Sequence, residues 1–210
     1  METLLETLNP ERPILLLDAD EVLLKFVETL EGHMLNHGFE LRLTSFQISG
    51  NVYRQSTNEL AEPTEVKKLI GSFFDECVDH VPVVNGAVDA IKELSDHYQV
   101  AVLTNVPSHC RERRRESLKT QGIDCPVIAN KGDKGAAVKR FTEFTSSHTV
   151  FVDDLPPQHA SVADVSPETH RIHFVADERL RTMIPQTEYS HARIDTWPEL
   201  TDYLKDLLKG

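Results

Sequence analysis

The chain is short of basic residues, of cysteine and of long apolar runs, and each shortage closes a route. Lys and Arg total 22 against 34 Asp and Glu, a net charge of -12. So acidic a chain repels nucleic-acid backbones and anionic membranes, which are bound through Lys/Arg patches. Neither a nucleic-acid duplex nor a membrane is expected as a partner. Cys77, Cys110 and Cys125 are odd in number and lack C-x-x-C spacing, which points to neither a disulfide framework nor a zinc site. No apolar run approaches the roughly 18 residues of a transmembrane helix. Met1 to Glu11 holds three Glu and lacks the basic-then-apolar form of a secretion signal. A cytoplasmic location is the expectation. There is no internal repeat, low-complexity tract or Gly/Ser linker.

What is present suits a soluble enzyme, since 210 residues, 40% of them hydrophobic, bury a core of one domain plus a small appendage. Short apolar runs alternate with segments of helical period, the pattern of β-α-β units and a parallel sheet. Strands are expected near Pro13–Leu17, Val100–Leu103, Val127–Ala129, Thr149–Val152 and Arg171–Val175. Asn85 to His97 and Ser108 to Gln121 read as crossover helices, the second stopping before Gly122. Thr196-Trp197-Pro198-Glu199 has capping-box spacing ahead of a last helix. Trp197, the single tryptophan, reads as a packing anchor.

From about Lys25 to Val81 the alternation fails. Val27, Leu30, Met34 and Leu35 mark one amphipathic helix, and Val66, Leu69, Ile70, Phe73 and Phe74 another. The expected organisation is an α/β core from 1–24 and 82–210, with a small helical cap at 25–81 lying over the strand ends as a lid.

Four stations carry the chemistry. Asp18-Ala19-Asp20-Glu21-Val22 follows the run Ile14 to Leu17; Thr104 closes Val100 to Leu103; Lys131 and Lys134 open a helix; Asp153-Asp154 closes Thr149 to Val152. Three of them end buried strands, where an open α/β sheet gathers its ligands. Asp18 is ionised at neutral pH and able to attack phosphorus. Continued strand geometry puts Asp20 on the same side of the chain. Carboxylates so close repel unless a cation intervenes.

The order Asp-x-Asp, Thr, Lys, acidic pair resembles the signature of the haloacid dehalogenase (HAD) superfamily, in its phosphatase branch, from Ile14 to Trp197. The resemblance implies a doubly wound, Rossmann-type parallel sheet of five strands with a cap after the first motif. It implies Asp18 as nucleophile, Asp20 as general acid and base, and Thr104 with the backbone amide of Asn105 as phosphoryl ligands. A lysine neutralises the remaining charge; Lys134-Gly135-Ala136-Ala137 fits the family's small residue after the lysine better than Lys131 does. Mg²⁺, which favours oxygen ligands, falls to Asp18, the backbone carbonyl of Asp20 and Asp153, with Asp154 a direct or an outer ligand. Glu21 departs from the pattern, because many members have Gly there. Retention of Asp20 favours phosphoryl chemistry over carbon–halogen cleavage.

The function these residues imply is Mg²⁺-dependent hydrolysis of a small phosphorylated metabolite through an aspartyl-phosphate. Asp18-Ala19-Asp20-Glu21-Val22-Leu23 with Phe26 is similar to the opening of deoxyribonucleotidase-like members, so a 5'-nucleotidase is an alternative. A catalytically silent binding protein would be expected to have lost Asp18 or Asp20. A phosphorylatable signalling receiver carries its motifs in the opposite order. His33 and His37, spaced i, i+4 without the zincin Glu, read as packing or solvated residues. Arg111, Arg113, Arg114 and Arg115, interleaved with Glu112 and Glu116, read as a salt-bridged surface.

Overall fold

The computed structural model describes residues 2–209. In chain order the elements are α1 (Glu2–Leu5), β1 (Ile14–Leu17), α2 (Phe26–Asn36), β2 (Phe39–Leu41), β3 (Val52–Arg54), α3 (Pro63–Cys77), α4 (Ala87–Leu94), β4 (Gln99–Thr104) and α5 (Arg111–Thr120). There follow β5 (Val127–Ala129), α6 (Gly135–Phe144), β6 (Thr149–Asp153), α7 (Pro156–Val165), β7 (His170–His173), α8 (Glu178–Met183), β8 (Ala192–Arg193) and α9 (Trp197–Leu207). Among the described residues no helix is long and apolar enough to cross a membrane.

A six-stranded parallel sheet runs in the order β5-β4-β1-β6-β7-β8. Strands β1, β4, β5 and β6 are mainly apolar runs because both faces are covered, whereas β7 reads His170-Arg171-Ile172-His173. On one face Leu15, Leu17, Val100, Val102, Val150 and Val152 join a core with α4, α9 and the inserted segment. On the other, Ile14, Leu16, Ala101, Leu103 and Phe151 pack on Val138, Phe141 and Val162 of α6 and α7. Successive residues therefore serve opposite cores, as strand geometry demands. The sheet has one strand more than expected, the two-residue β8 paired with β7.

Leu17 in central β1 is level with Val102 of β4 and Val152 of β6. That register brings Asp18, Thr104 and Asp153 to one edge of three adjacent strands. Between β1 and α4 lie α2, α3 and the antiparallel ribbon β2–β3, which an all-helical reading of 25–81 omits. Phe26 of α2 meets Phe73 of α3 edge-on, with ring centroids 5.2 Å apart. The chain enters and leaves this segment side by side: Leu24 and Val83 form an antiparallel bridge, and the Lys25 N–H donates to the Pro82 carbonyl at 2.9 Å. Trp197 is buried, and its indole N–H donates to the Val22 carbonyl at 3.1 Å. The expected capping box at α9 takes another form, the Thr196 hydroxyl meeting the Glu199 carboxylate at 2.6 Å instead of a backbone N–H.

Candidate functional site

The Asp18 N–H still donates to the Val152 carbonyl, at 2.9 Å, so the sheet ladder fixes the backbone under its carboxylate. Asp153 closes β6, and its Oδ1 accepts from the Leu155 N–H at 2.9 Å. Lys134 spans the gap between them. Its Nζ donates to Asp18 Oδ1 at 2.5 Å and to Asp153 Oδ2 at 2.7 Å. The next residue explains how it gets there: a Cβ on Gly135 would lie 2.3 Å from the Ser161 carbonyl oxygen. Only glycine lets α6 start this close to α7, and the Gly135 N–H donates to Ser161 Oγ at 3.0 Å. Lys131 is exposed, whereas Lys134 is buried in the site.

Carboxylate oxygens of Asp18, Asp153 and Asp154 lie within 4.8 Å of one another, and all three residues are buried. Burial pushes Asp18 up to about 6, with Lys134 opposing and Asp153 adding to the rise. Asp154 is driven well above the ordinary carboxylate range by burial and then by Asp153 and Asp18. Burial alone would lower Lys134; the Asp153 and Asp18 carboxylates override it and hold the ammonium in its charged form. One ammonium leaves this oxygen-only cluster in negative excess, which is the donor chemistry of a hard divalent cation such as Mg²⁺. The acidic pair is pinned from behind, since His159 Nε2–H donates to the Asp153 carbonyl at 2.9 Å and His173 Nε2–H to that of Asp154 at 2.8 Å. Both imidazoles are pushed down to about 4 by burial and stay neutral.

Asp20 stands apart from that carboxylate cluster. Its Oδ1 lies 3.0 Å from Nη2 of Arg114, which is fully buried. Burial raises the Asp20 carboxyl and Arg114 opposes the rise. The surface reading of the arginine cluster holds for Arg113, paired with Asp79, and Arg115, near Glu112. For Arg114 it is corrected: the residue belongs to the inward stripe of the helix, with Cys110, Ser117 and Leu118. That i, i+4, i+7, i+8 spacing was the available signal.

Glu21, where the family pattern has Gly, sits at φ +61°, a left-handed conformation that costs a side-chain residue about 1 kcal/mol or more. Four hydrogen bonds hold it, the first from its own N–H to the Leu24 carbonyl at 2.9 Å. Oε1 accepts from the Val27 N–H at 2.7 Å, Oε2 from the Asp177 N–H at 2.9 Å, and the carbonyl from the Ala176 N–H at 2.8 Å. Burial pushes its pKa up to about 7.

A cavity of about 490 Å³ opens over these groups. Asp18, Asp20, Lys134 and Asp154 form its polar end, and Phe26, Phe46, Ile48 and Phe74 stand among its apolar walls. Phe46 and Ile48 come from the loop between β2 and β3, a contribution that periodicity did not reveal. Buried Asn51 organises that loop: its Oδ1 accepts from the Thr44 hydroxyl at 2.7 Å, and its Nδ2 donates to the Gln47 carbonyl at 2.6 Å. Asn105 lines the cavity, its amide donating to the Gly132 carbonyl at 3.0 Å. Thr104 and Asp153 are fully buried and outside the lining; the Thr104 hydroxyl accepts from the Val106 N–H at 3.3 Å. A larger cavity, about 760 Å³, shares only Glu21 with this one and holds none of the other site residues.

No family model and no curated protein matches the sequence. Solved structures do match the fold. A HAD family hydrolase from Deinococcus radiodurans with bound phosphate and sodium is 10% identical, with a TM-score of 0.62 over 94% of this chain and 97% of that one. A haloacid dehalogenase-like hydrolase from Streptococcus pneumoniae is also 10% identical, at 0.62 over 94% and 100%. A HAD-type protein from Bacillus subtilis, bound to magnesium, is 14% identical, at 0.59 over 93% and 99%.

Proposed function

Starting from a chain with the haloacid dehalogenase-like hydrolase fold, we propose that it hydrolyses a phosphomonoester through an aspartyl-phosphate on Asp18. The observation that carries the reading is the convergence of Asp18, Lys134 and the acidic pair in one buried cluster that opens to a cavity. An Asp18 oxygen attacks phosphorus and the P–O bond to the alcohol breaks. Asp20, whose proton burial favours, gives it to the departing oxygen. It then takes a proton from the water that attacks the acyl phosphate, releasing phosphate and regenerating Asp18.

Lys134 offsets phosphoryl charge in a low-dielectric site, where such an interaction is strong. Asn105, which lines the cavity, follows Thr104 at the end of β4, and the two would hold phosphoryl oxygens there. Mg²⁺, held by Asp18, Asp153 and Asp154 with the Asp20 carbonyl, would supply further charge neutralisation there. The apolar wall supports a leaving group with an apolar or aromatic face. A nucleoside monophosphate is the second reading, favoured by Phe26 and Phe74, which stack at 5.9 Å and 27° beside the carboxylates.

Asp18→Asn should abolish p-nitrophenyl phosphate hydrolysis while leaving the thermal unfolding curve nearly unchanged, because Asn is close in shape but a poor nucleophile. Chelating divalent cations should silence the wild type reversibly. Metal-dependent turnover by the purified variant would overturn the assignment.

A further inference from the structure

A second cluster lies in the inserted segment, outside both cavities. His33 and His37 stand one turn apart on α2, and Glu76 and Cys77 face them from the end of α3. One pair of tautomers satisfies all the hydrogen bonds. The Ser72 hydroxyl donates to the Leu69 carbonyl at 3.0 Å, which leaves its oxygen to accept from His33 Nε2–H at 2.9 Å. His37 Nδ1 is 2.9 Å from the His33 carbonyl, a group that only accepts. The hydrogens are therefore on His33 Nε2 and His37 Nδ1, and the lone pairs are on His33 Nδ1 and His37 Nε2.

Those lone pairs converge on electron-rich atoms. Glu76 Oε2 is 3.9 Å from each, and Cys77 Sγ is 3.6 Å from His33 Nδ1. Two atoms held tetrahedrally by one zinc ion are about 3.4 Å apart, from Zn–N distances of about 2.1 Å. Ligand atoms of His33, His37 and Glu76 already lie within 4.8 Å of one another, whereas Cys77 Sγ meets His33 alone, so the Cys77 side chain must turn to complete the set. The outer hydrogen bonds, to a serine oxygen and a backbone carbonyl, are the kind that orient metal-bound imidazoles. Exposure provides an entry path, the His37 and Glu76 side chains being 39% and 54% accessible.

We propose that His33 Nδ1, His37 Nε2, Glu76 and Cys77 form a structural site for a borderline-soft divalent ion of the zinc type, clasping α2 to α3. Two imidazoles, a carboxylate and a thiolate select such an ion over Mg²⁺. On binding, the Cys77 thiol loses its proton to solvent and its sulfur becomes the fourth ligand. The spacing of His33 and His37 alone did not reveal this, because half the donors come from another helix. The site does not depend on the reaction proposed for Asp18.

The test is a Co²⁺ titration of the full-length, metal-stripped protein in excess Mg²⁺, which occupies the Asp18 cluster. Absorbance should show tetrahedral Co²⁺ with a thiolate charge-transfer band, saturating at one equivalent and abolished by Zn²⁺. Cys77→Ser should lose the band. His37→Ala and Glu76→Gln, both at exposed positions, should each weaken Co²⁺ at least about tenfold. Cys110, in a neighbouring group with Asp75 and His109, is the control, and Cys110→Ser should leave the spectrum unchanged. Absence of stoichiometric binding, unchanged affinity in both surface variants, or loss of the band in Cys110→Ser would each overturn the proposal.

Discussion

At the scale of single residues, the pair formed by Asp20 and Arg114 decides how the proposed acid behaves. Arg114 is fully buried, and its Nε and Nη1 have no hydrogen-bond partner among the described residues, so Asp20 carries its orientation and its charge balance. Arg114→Leu should leave the Asp20 carboxyl free to rotate. Turnover of an alkyl phosphate, whose leaving group needs a proton, should fall about 100-fold, the size of a general-acid contribution. Hydrolysis of p-nitrophenyl phosphate should fall much less, and comparing the two kcat values checks this. Equal losses would make Arg114 a structural residue. Asp18 and Asp153 were legible because each closes an apolar run, and Asp20 because it stands two residues on from Asp18. Arg114 was obscured by its charged neighbours, although its place on the helical stripe was written in the spacing.

At the scale of elements, the contact between α6 and α7 positions the lysine. Gly135→Ala would drive a methyl into the Ser161 backbone and should cost about 1–3 kcal/mol, the range of overpacking, with a larger loss in activity as Lys134 shifts. Chemical denaturation paired with a rate measurement tests it. β7 carries a pH dependence. Burial, His191 and Arg171 push His170 down to about 4 from 6.5, so it is neutral in both folded and unfolded chains above pH 6.5. Below that the unfolded chain takes up a proton that the folded one refuses, and stability is lost as pH falls from 6.5 to 4. Compared with His170→Gln, the wild type should lose about 2 kcal/mol more across that window, as urea titrations at several pH values would read. Central strands were legible because a parallel strand covered on both faces is a continuous apolar run. β8 and the β2–β3 ribbon were not: each strand has two or three residues, and tertiary pairing holds them.

At the scale of the whole molecule, an acidic chain must concentrate its cationic help where an anion is to bind. The core supplies Lys134 to the cavity, and the inserted segment supplies apolar surface. Phe46→Ala should therefore raise KM for a bulky aromatic monoester about tenfold while altering a small alkyl phosphate little, since the lost contact belongs to the leaving group alone. A substrate panel decides it, and equal losses on all esters would deny the loop a selective role. The fold class could be read from alternation, and the order of the motifs pointed to one edge of the sheet. The shape of the substrate wall could not, because Asn51 sets it by bonds across the loop and not by any repeating pattern.

The carboxylate of Glu21 grips the first turn of α2 with one oxygen and the 175–177 loop with the other, while the paired strands at Leu24 and Val83 tie the entry to the exit. A swinging door needs a slack hinge, and this one is bolted to its frame at two points. On the reading proposed for Asp18, the wall above it would work as a fixed gauge, sorting molecules by whether they fit the gap as it stands.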